Sequence, residues 1–232
     1  MGKDVIVACD FASREQVFEF LDKFTGKKPF VKIGMELFYA EGPQIVRDIK
    51  ARGHKIFLDL KLHDIPNTVT KAMRVLSNLD VDMTNLHAAG TTAMMEGALK
   101  GLTREDGSRP MLIAVTQLTS TDQESMERDI LIREPIDKVV MHYAQTAKKA
   151  GLDGIVCSPL ESGKVHESCG ADFVTVTPGV RFAENDSGDQ KRVMTPAEAK
   201  RIGSDYIVVG RPITAAADPV AAYERCVREF VD

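Results

Sequence analysis

The sequence predicts an α/β fold, a (β/α)8 TIM barrel formed by a single domain over residues 1–232. Short, nearly continuous apolar runs recur eight times, and helical patterns separate most of them. This alternation indicates parallel strands joined by right-handed crossovers, and eight such units fit the usual length of a barrel. An open doubly wound sheet is the competing architecture. It usually has fewer strands, and no GxGxxG follows the first strand here.

The predicted strands are rich in Val, Ile, Leu and Phe along their whole length, as expected of strands covered on both faces. They are Val5–Cys9, Phe30–Gly34, Lys55–Leu60, Met83–His87, Met111–Gln117, Gly154–Ser158, Phe173–Thr177 and Tyr206–Gly210.

Helical patterns between the strands carry recognisable end signals, such as a Ser cap, a first-turn Pro or a closing Gly. The clearest run over Arg14–Phe24, from Gly42-Pro43 to Gly53, over Thr68–Leu79, and from Thr195-Pro196 to Gly203.

Two segments lack such a pattern. The polar stretch Thr119–Pro135 is expected to be a long excursion after the fifth strand. The stretch Arg181–Arg192, rich in Glu, Asp, Asn, Ser and Gly, is expected to be a surface loop after the seventh. It fits either a mobile lid or a tolerated solvent loop.

Composition narrows the function classes. Of the 232 residues, 44% are hydrophobic and 28% charged, and the net charge is −4, which opposes a general nucleic-acid-binding surface. No run reaches the roughly 20 apolar residues that cross a bilayer, and the N-terminus has no signal-peptide core. The four scattered cysteines form no CxxC, so a reducing, cytoplasmic setting is expected.

The most informative stretch is Phe57–Thr68, where an apolar strand runs into an Asp-x-Lys-x-x-Asp pattern. Side chains alternate along a strand, so Asp59 and Lys61 are expected on the same side. Pro66 cannot extend a central strand, which places Asp64 beyond the strand end. Desolvated charges are tolerated most readily where chemistry needs them, although an ordinary ion pair at a strand end is the alternative.

Polar residues recur at the carboxyl ends of the predicted strands, which converge at the mouth of a barrel, where active sites of this fold lie. They are Asp10, Lys32, Asp59, Lys61, His87, Thr119, Arg181 and Arg211. The charges of the first four sum to zero when all are ionised, so such a lattice is compatible with burial.

The loops after the seventh and eighth strands predict a phosphate site. Gly179 and Gly210 allow a ligand close to the backbone, and Arg181 and Arg211 offer planar cationic forks. Taken singly, each glycine is equally typical of a turn and Arg211 of a surface.

An alternative interpretation of the residues at the barrel mouth is a metal site, because His63 and His87 accompany Asp59 and Asp64. The ammonium group of Lys61 would then lie among the ligands and oppose a divalent cation. No metal is therefore predicted.

The segment from Asp59 to Thr68, DLKLHDIPNT, resembles the signature of the orotidine 5′-phosphate decarboxylase family. Six further segments resemble family segments in the same order, with no departure at a functional position, and the compact length is similar to the bacterial branch. They are 7–11, 31–34, 85–90, 115–120, 177–181 and 209–214.

The resemblance implies decarboxylation of orotidine 5′-monophosphate to uridine 5′-monophosphate and CO2 in de novo pyrimidine synthesis. It also implies a homodimer with shared active sites and neither a cofactor nor a metal. Lys61 would protonate C6 within a catalytic array of Lys32, Asp59, Lys61 and Asp64. The implied substrate-binding residues are Asp10 and Lys32 at the ribose, Thr119 at the pyrimidine, Arg181, Gln190, Gly210 and Arg211 at the phosphate, and Ile65 and Thr68 across the interface.

Two other readings remain open. Mg²⁺-dependent sugar-phosphate decarboxylases and aldolases of the same superfamily share Asp-x-Lys-x-x-Asp, but Asp-Ala-Gly typically follows where this chain has Asp64-Ile65-Pro66-Asn67. A non-catalytic phosphate-binding barrel is the third reading, and it would need no lysine in the array.

Overall fold

The structure is a computed structural model that describes residues 3–183 and 194–232. Within them, eight parallel strands pair in chain order and close into a barrel through β1 and β8. The predicted fold class is confirmed. The strands are β1 Asp4–Ala8, β2 Phe30–Gly34, β3 Ile56–Leu62, β4 Met83–His87, β5 Met111–Val115, β6 Gly154–Val156, β7 Val174–Thr177 and β8 Tyr206–Val209.

The described helices surround this barrel. They are α1 Arg14–Leu21, α2 Met35–Glu41, α3 Pro43–Ala51, α4 Pro66–Leu76, α5 Thr91–Leu102, α6 Gln123–Asp129, α7 Ile136–Lys149, α8 Ser162–Cys169, α9 Pro196–Ile202, α10 Arg211–Thr214 and α11 Pro219–Phe230. No helix within residues 3–183 and 194–232 combines the length and apolar character needed to cross a membrane.

Several boundaries differ from the predicted ones. The helix predicted over Thr68–Leu79 begins two residues earlier, at Pro66, because a proline fits the first helical turn. The excursion Thr119–Pro135 contains α6, which the Asp122 side chain caps through the backbone N–H of Ser125. The sequence analysis had no signal for α2, which follows β2 directly.

The strands separate two apolar cores. One side of each strand packs against the helices, in a large apolar layer. The other side fills the barrel interior with an apolar cluster that includes Ile6, Phe30, Phe57 and Met83. Because side chains alternate, the next inward positions after Phe30 and Phe57 are Lys32 and Asp59. The barrel interior is thus apolar towards the amino ends of the strands and charged towards their carboxyl ends.

The helix that follows the Asp-x-Lys-x-x-Asp segment is held by close packing of α4 on α5. A Cβ atom added at Gly101 of α5 would lie 2.1 Å from the backbone oxygen of Thr70 in α4. One added at Gly97 would lie 2.7 Å from the Thr70 hydroxyl oxygen. The two glycines therefore let the helix backbones approach more closely than any side chain would permit.

Gly101→Ala should lower the free energy of unfolding by about 1–3 kcal/mol, because the methyl group meets backbone that cannot rotate away. In an uncrowded helix the same change would stabilise by roughly 1 kcal/mol, so the sign is diagnostic. Urea denaturation measures it. Gly26→Ala is the control, since no atom lies within 4 Å of a Cβ atom added there. A Gly101→Ala protein as stable as the wild type would contradict the close contact.

Candidate active site

A chain of alternating charges crosses the barrel mouth. Lys32 Nζ donates to Asp10 Oδ1 at 2.8 Å and lies 3.5 Å from Asp59 Oδ2. Lys61 Nζ donates to the other Asp59 oxygen, Oδ1, at 2.6 Å. Asp59 and Lys61 therefore lie on the same side, as the strand alternation predicts. The Asp59 carboxylate is the centre of the network, shared between two ammonium groups.

Burial is deepest at the centre of this network. The side chains of Asp59 and Lys32 are 9% and 12% exposed, whereas those of Lys61 and Asp10 are 27% and 57% exposed. Burial alone would raise the pKa of Asp59, but Lys32 and Lys61 hold that pKa below its ordinary value. Burial alone would lower the pKa of Lys32, but Asp59 and Asp10 raise it. Both groups are therefore ionised at neutral pH.

Lys61 has an unusual backbone conformation, with φ at +50°. This left-handed region costs an L-residue about 1–2 kcal/mol. The N–H of Lys61 donates to Asn85 Oδ1 at 2.8 Å, and Asn85 Nδ2 donates to Asp59 Oδ1 at 2.7 Å. The sequence analysis assigned Asn85 no role. The available signal was its position two residues after the inward-facing Met83, which places a polar side chain inside the barrel.

Two adjoining cavities surround these charges. The first, of about 330 Å³, is lined by Lys32, Asp59, Lys61, Asn85, Thr119 and several apolar side chains. The second, of about 410 Å³, is lined by Asp10, Lys32, Gly179, Arg181, Gly210 and Arg211, among others. Lys32, Pro178 and Val208 line both. Lys32, Asp59 and Lys61 thus lie beside Arg181 and Arg211, in two neighbouring cavities that share part of their lining.

Some predicted site residues lie outside these cavities. Asp64 accepts a hydrogen bond from the N–H of Ile65, and within the described residues it forms no salt bridge with either lysine. Ile65 is 66% exposed, and Thr68 is exposed in the first turn of α4. A single chain therefore brings Lys32, Asp59 and Lys61 together, whereas Asp64, Ile65 and Thr68 are exposed and line neither cavity.

The predicted loop over Arg181–Arg192 lies largely outside the described residues, and so does Gln190. The described ends of this stretch are close together, since the N–H of Arg181 donates to Met194 O at 3.0 Å. Arg181 therefore has a fixed backbone position at the rim of the second cavity.

The histidines at the mouth do not complete a cluster of metal ligands. The ring centroids of His63 and His87 lie 5.6 Å apart. Burial, followed by the neighbouring His63 and Lys61, lowers the pKa of His87, so its ring is neutral at neutral pH. Over residues 3–183 and 194–232, no three His, Cys, Asp or Glu side chains are grouped as metal ligands.

Fold and site together define a class: a (β/α)8 barrel with a lysine–aspartate array beside an arginine-lined pocket at the strand ends. The chain belongs to the orotidine 5′-phosphate decarboxylase / HUMPS family, whose model matches residues 3–226.

Relatives cover nearly the whole chain. It is 56% identical to the orotidine 5′-phosphate decarboxylase of Bacillus cytotoxicus, over 99% of this chain and 98% of that protein. The counterpart in Bacillus mycoides is 55% identical over the same shares. Among solved structures, orotidine 5′-phosphate decarboxylase from Lactobacillus acidophilus aligns with a TM-score of 0.89 at 44% identity, covering 99% of this chain and 100% of that one.

Asp59→Asn should destabilise the fold by about 3 kcal/mol at neutral pH, because it removes the buried counter-charge that the ammonium groups of Lys32 and Lys61 share. Since folding lowers the pKa of Asp59, its contribution is full above 3.8 and is lost as pH falls through the native pKa.

Urea denaturation at neutral and acidic pH tests this. The exposed control Asp172→Asn should change stability by no more than about 0.5 kcal/mol. Equal stability of Asp59→Asn and the wild type at neutral pH would mean that the network contributes nothing to folding.

Proposed function

We propose that this chain decarboxylates orotidine 5′-monophosphate to uridine 5′-monophosphate and CO2, with Lys61 as the proton donor to C6. The observation that carries the proposal is the 2.6 Å contact of Lys61 Nζ with Asp59, in a cavity that shares lining residues with an arginine-lined one. Near-identical length and 56% identity to a protein named for this reaction support it.

The lysine meets the main difficulty of the reaction. When the bond from C6 to the carboxylate breaks, its electron pair stays on C6, where no adjacent carbonyl can delocalise it. A fixed ammonium group stabilises that charge and then gives C6 a proton, leaving a neutral amine that solvent reprotonates. The contact with Asp59 holds the ammonium group in place beforehand.

Asp59 contributes through repulsion of the substrate carboxylate. Two negative charges about 4 Å apart in surroundings of effective dielectric near 20 repel by roughly 4 kcal/mol. This repulsion disappears as neutral CO2 leaves, so it favours the transition state over the bound substrate. The low pKa of Asp59 keeps that charge present at neutral pH.

The second cavity is the proposed phosphate and ribose site. Arg181, Gly210 and Arg211 would hold the phosphate, while Asp10 and Lys32 would hold the ribose. Thr119, in the first cavity, would contact the pyrimidine. By the family resemblance Gln190 joins the phosphate ligands. Binding energy from the distant phosphate can then lower the barrier at C6.

The proposed assembly is a homodimer with shared active sites. Asp64, Ile65 and Thr68 are exposed and line neither cavity of their own chain, and by the family resemblance they would complete those of a second copy. Exposed apolar side chains on the same rim support an interface there. Ile65 is 66% exposed, and Met35 and Tyr39 of α2 are 44% and 70% exposed.

A cytoplasmic setting without a nucleic-acid or membrane partner is also proposed. The four cysteines all lie within the described residues, where they are buried and form no disulfide, and the net charge is −4. The proposed substrate is a small nucleotide, and the proposed chemistry uses neither a cofactor nor a metal.

We predict that the protein turns over orotidine 5′-monophosphate in the presence of excess EDTA. The loss of substrate absorbance measures this turnover. Lys61→Ala should lower kcat by more than about 100-fold, because the proton donor is gone. Lys149→Ala, an exposed lysine at the end of α7, should match the wild type.

Each outcome of that assay decides something. A Lys61→Ala enzyme that keeps about one tenth of the wild-type kcat would remove Lys61 from its role. Activity that EDTA abolishes and Mg²⁺ restores would favour the sugar-phosphate class. A folded wild-type protein without turnover would overturn the proposed function.

The shared site predicts complementation between two inactive variants. Mixing Lys61→Ala and Asp64→Ala dimers under conditions of subunit exchange should restore activity, because one site of each heterodimer then carries neither change. Exchange is verified by mass spectrometry of differently labelled subunits. Verified exchange without recovered activity would rule out a site completed by Asp64 from the second copy.

Arg211→Ala should reduce kcat/KM for the nucleotide by about 10- to 100-fold, as expected when a charged hydrogen bond to phosphate is lost. Arg201→Ala, an exposed residue of α9, controls for the change in net charge. Steady-state kinetics measures both. An Arg211→Ala enzyme with wild-type kcat/KM would exclude Arg211 as a phosphate ligand.

A further inference from the structure

The hydrogen-bond ladder between β3 and β4 is interrupted beside the site. Leu58 pairs with Thr84 and Leu62 pairs with Leu86, so the three residues Asp59–Lys61 lie opposite Asn85 alone. A regular ladder would match residues one to one, and the surplus residues of β3 need other partners for their backbone groups.

The Asn85 side chain supplies one of those partners, for the backbone N–H of Lys61, and it also binds the Asp59 side chain. Its Oδ1 accepts the N–H of Lys61 at 2.8 Å, and its Nδ2 donates to Asp59 Oδ1 at 2.7 Å. The orientation of the amide is fixed, because a backbone N–H can only donate and therefore must face the oxygen. Asn85 is 1% exposed, so no water competes for either contact.

These two contacts explain how Lys61 keeps its left-handed backbone, at φ +50°. A non-glycine residue such as lysine adopts this left-handed backbone region only where surrounding contacts impose it. The Oδ1 atom of Asn85 holds the backbone N–H of Lys61. The Nδ2 atom of Asn85 donates to the same Asp59 oxygen that accepts a hydrogen bond from Lys61 Nζ at 2.6 Å.

We propose that Asn85 is the positioning residue of the active site. It holds Lys61 in the conformation from which the ammonium group meets Asp59, and it fixes the Asp59 carboxylate between the two lysines. Asn85 acts through these residues. Its kinetic consequence rests on the proposed decarboxylase function, whereas its structural consequence does not.

Thr84 provides a matched control on the same strand. It is fully buried, and its hydroxyl donates to Leu58 O at 3.0 Å, so it too supports β3 beside the interruption. It lies on the opposite face of β4 from Asn85, and its hydrogen bond reaches neither Asp59 nor Lys61. Thr84→Val therefore perturbs the strand without removing the proposed positioning contacts.

The test compares Asn85→Ala, Asn85→Asp and Thr84→Val by steady-state kinetics with orotidine 5′-monophosphate. Asn85→Ala should lower kcat by about 100-fold, the effect of misplacing a reacting group by about 1 Å. Its KM should stay within about threefold, since Asn85 is 1% exposed in the first cavity, its amide binds Lys61 and Asp59, and it does not line the cavity that contains Arg211. Thr84→Val should keep kcat within about threefold of the wild type.

Asn85→Asp keeps the size of the side chain and an acceptor for the Lys61 N–H, but it offers Asp59 a carboxylate instead of a donor. The kcat of Asn85→Asp should also fall by about 100-fold. This variant provides the test if Asn85→Ala fails to fold. A folded Asn85 variant with kcat within about threefold of the wild type would overturn the proposal. A loss in Thr84→Val equal to that in the Asn85 variants would do the same.

A crystal structure of Asn85→Ala decides the point without turnover. Lys61 should leave the left-handed region, and its Nζ should move beyond hydrogen-bond distance of Asp59. An unchanged Lys61 would contradict the proposal even if activity fell. If the wild-type protein does not turn over the nucleotide, the proposed function fails, and this structural result still decides the role of Asn85.

Discussion

The Asp59 carboxylate, shared between the ammonium groups of Lys32 and Lys61, is the interaction on which the arrangement of this mouth depends. A buried carboxylate alone would tend to take up a proton, and the buried ammonium group of Lys32 alone would tend to lose one. Together they keep one another charged, and Asp10 extends the series towards solvent. The same attraction that makes burial tolerable also fixes where the ammonium group of Lys61 lies, so stability and the proposed chemistry use one set of contacts.

The barrel makes this set of contacts possible. Inward positions of neighbouring strands meet at one level, and an apolar layer around Phe57 and Met83 closes the interior below the charges. An additional irregularity is needed to aim Lys61, because a regular β3 would not give its backbone a left-handed turn. Asn85 of β4 fills the gap that this irregularity leaves. Local strain at the proposed proton donor is thus supported by a neighbouring strand.

Most of the fold followed from periodicity, because strands covered on both faces give short apolar runs that helical patterns separate. The placement of Asp59 and Lys61 on the same side of the strand followed from alternation. The contacts of Asn85 could not be predicted from the sequence, since they depend on a register shift between two strands that no local pattern encodes. The short helix α6 was missed because its capping signal lies in a polar stretch without an apolar face. Asp64 has its expected place past the strand, but its proposed role needs a second chain.

A crystal structure of the protein with uridine 5′-monophosphate, the proposed product, tests the central claim most directly. The account predicts a dimer in which C6 lies about 3–3.5 Å from Lys61 Nζ, the separation of groups placed for reaction. The phosphate should contact Arg211 in the second cavity. A nucleotide bound with its pyrimidine away from Lys61, or with its phosphate beside Asp59 and Lys61, would contradict the assignment of the two cavities and of the proton donor.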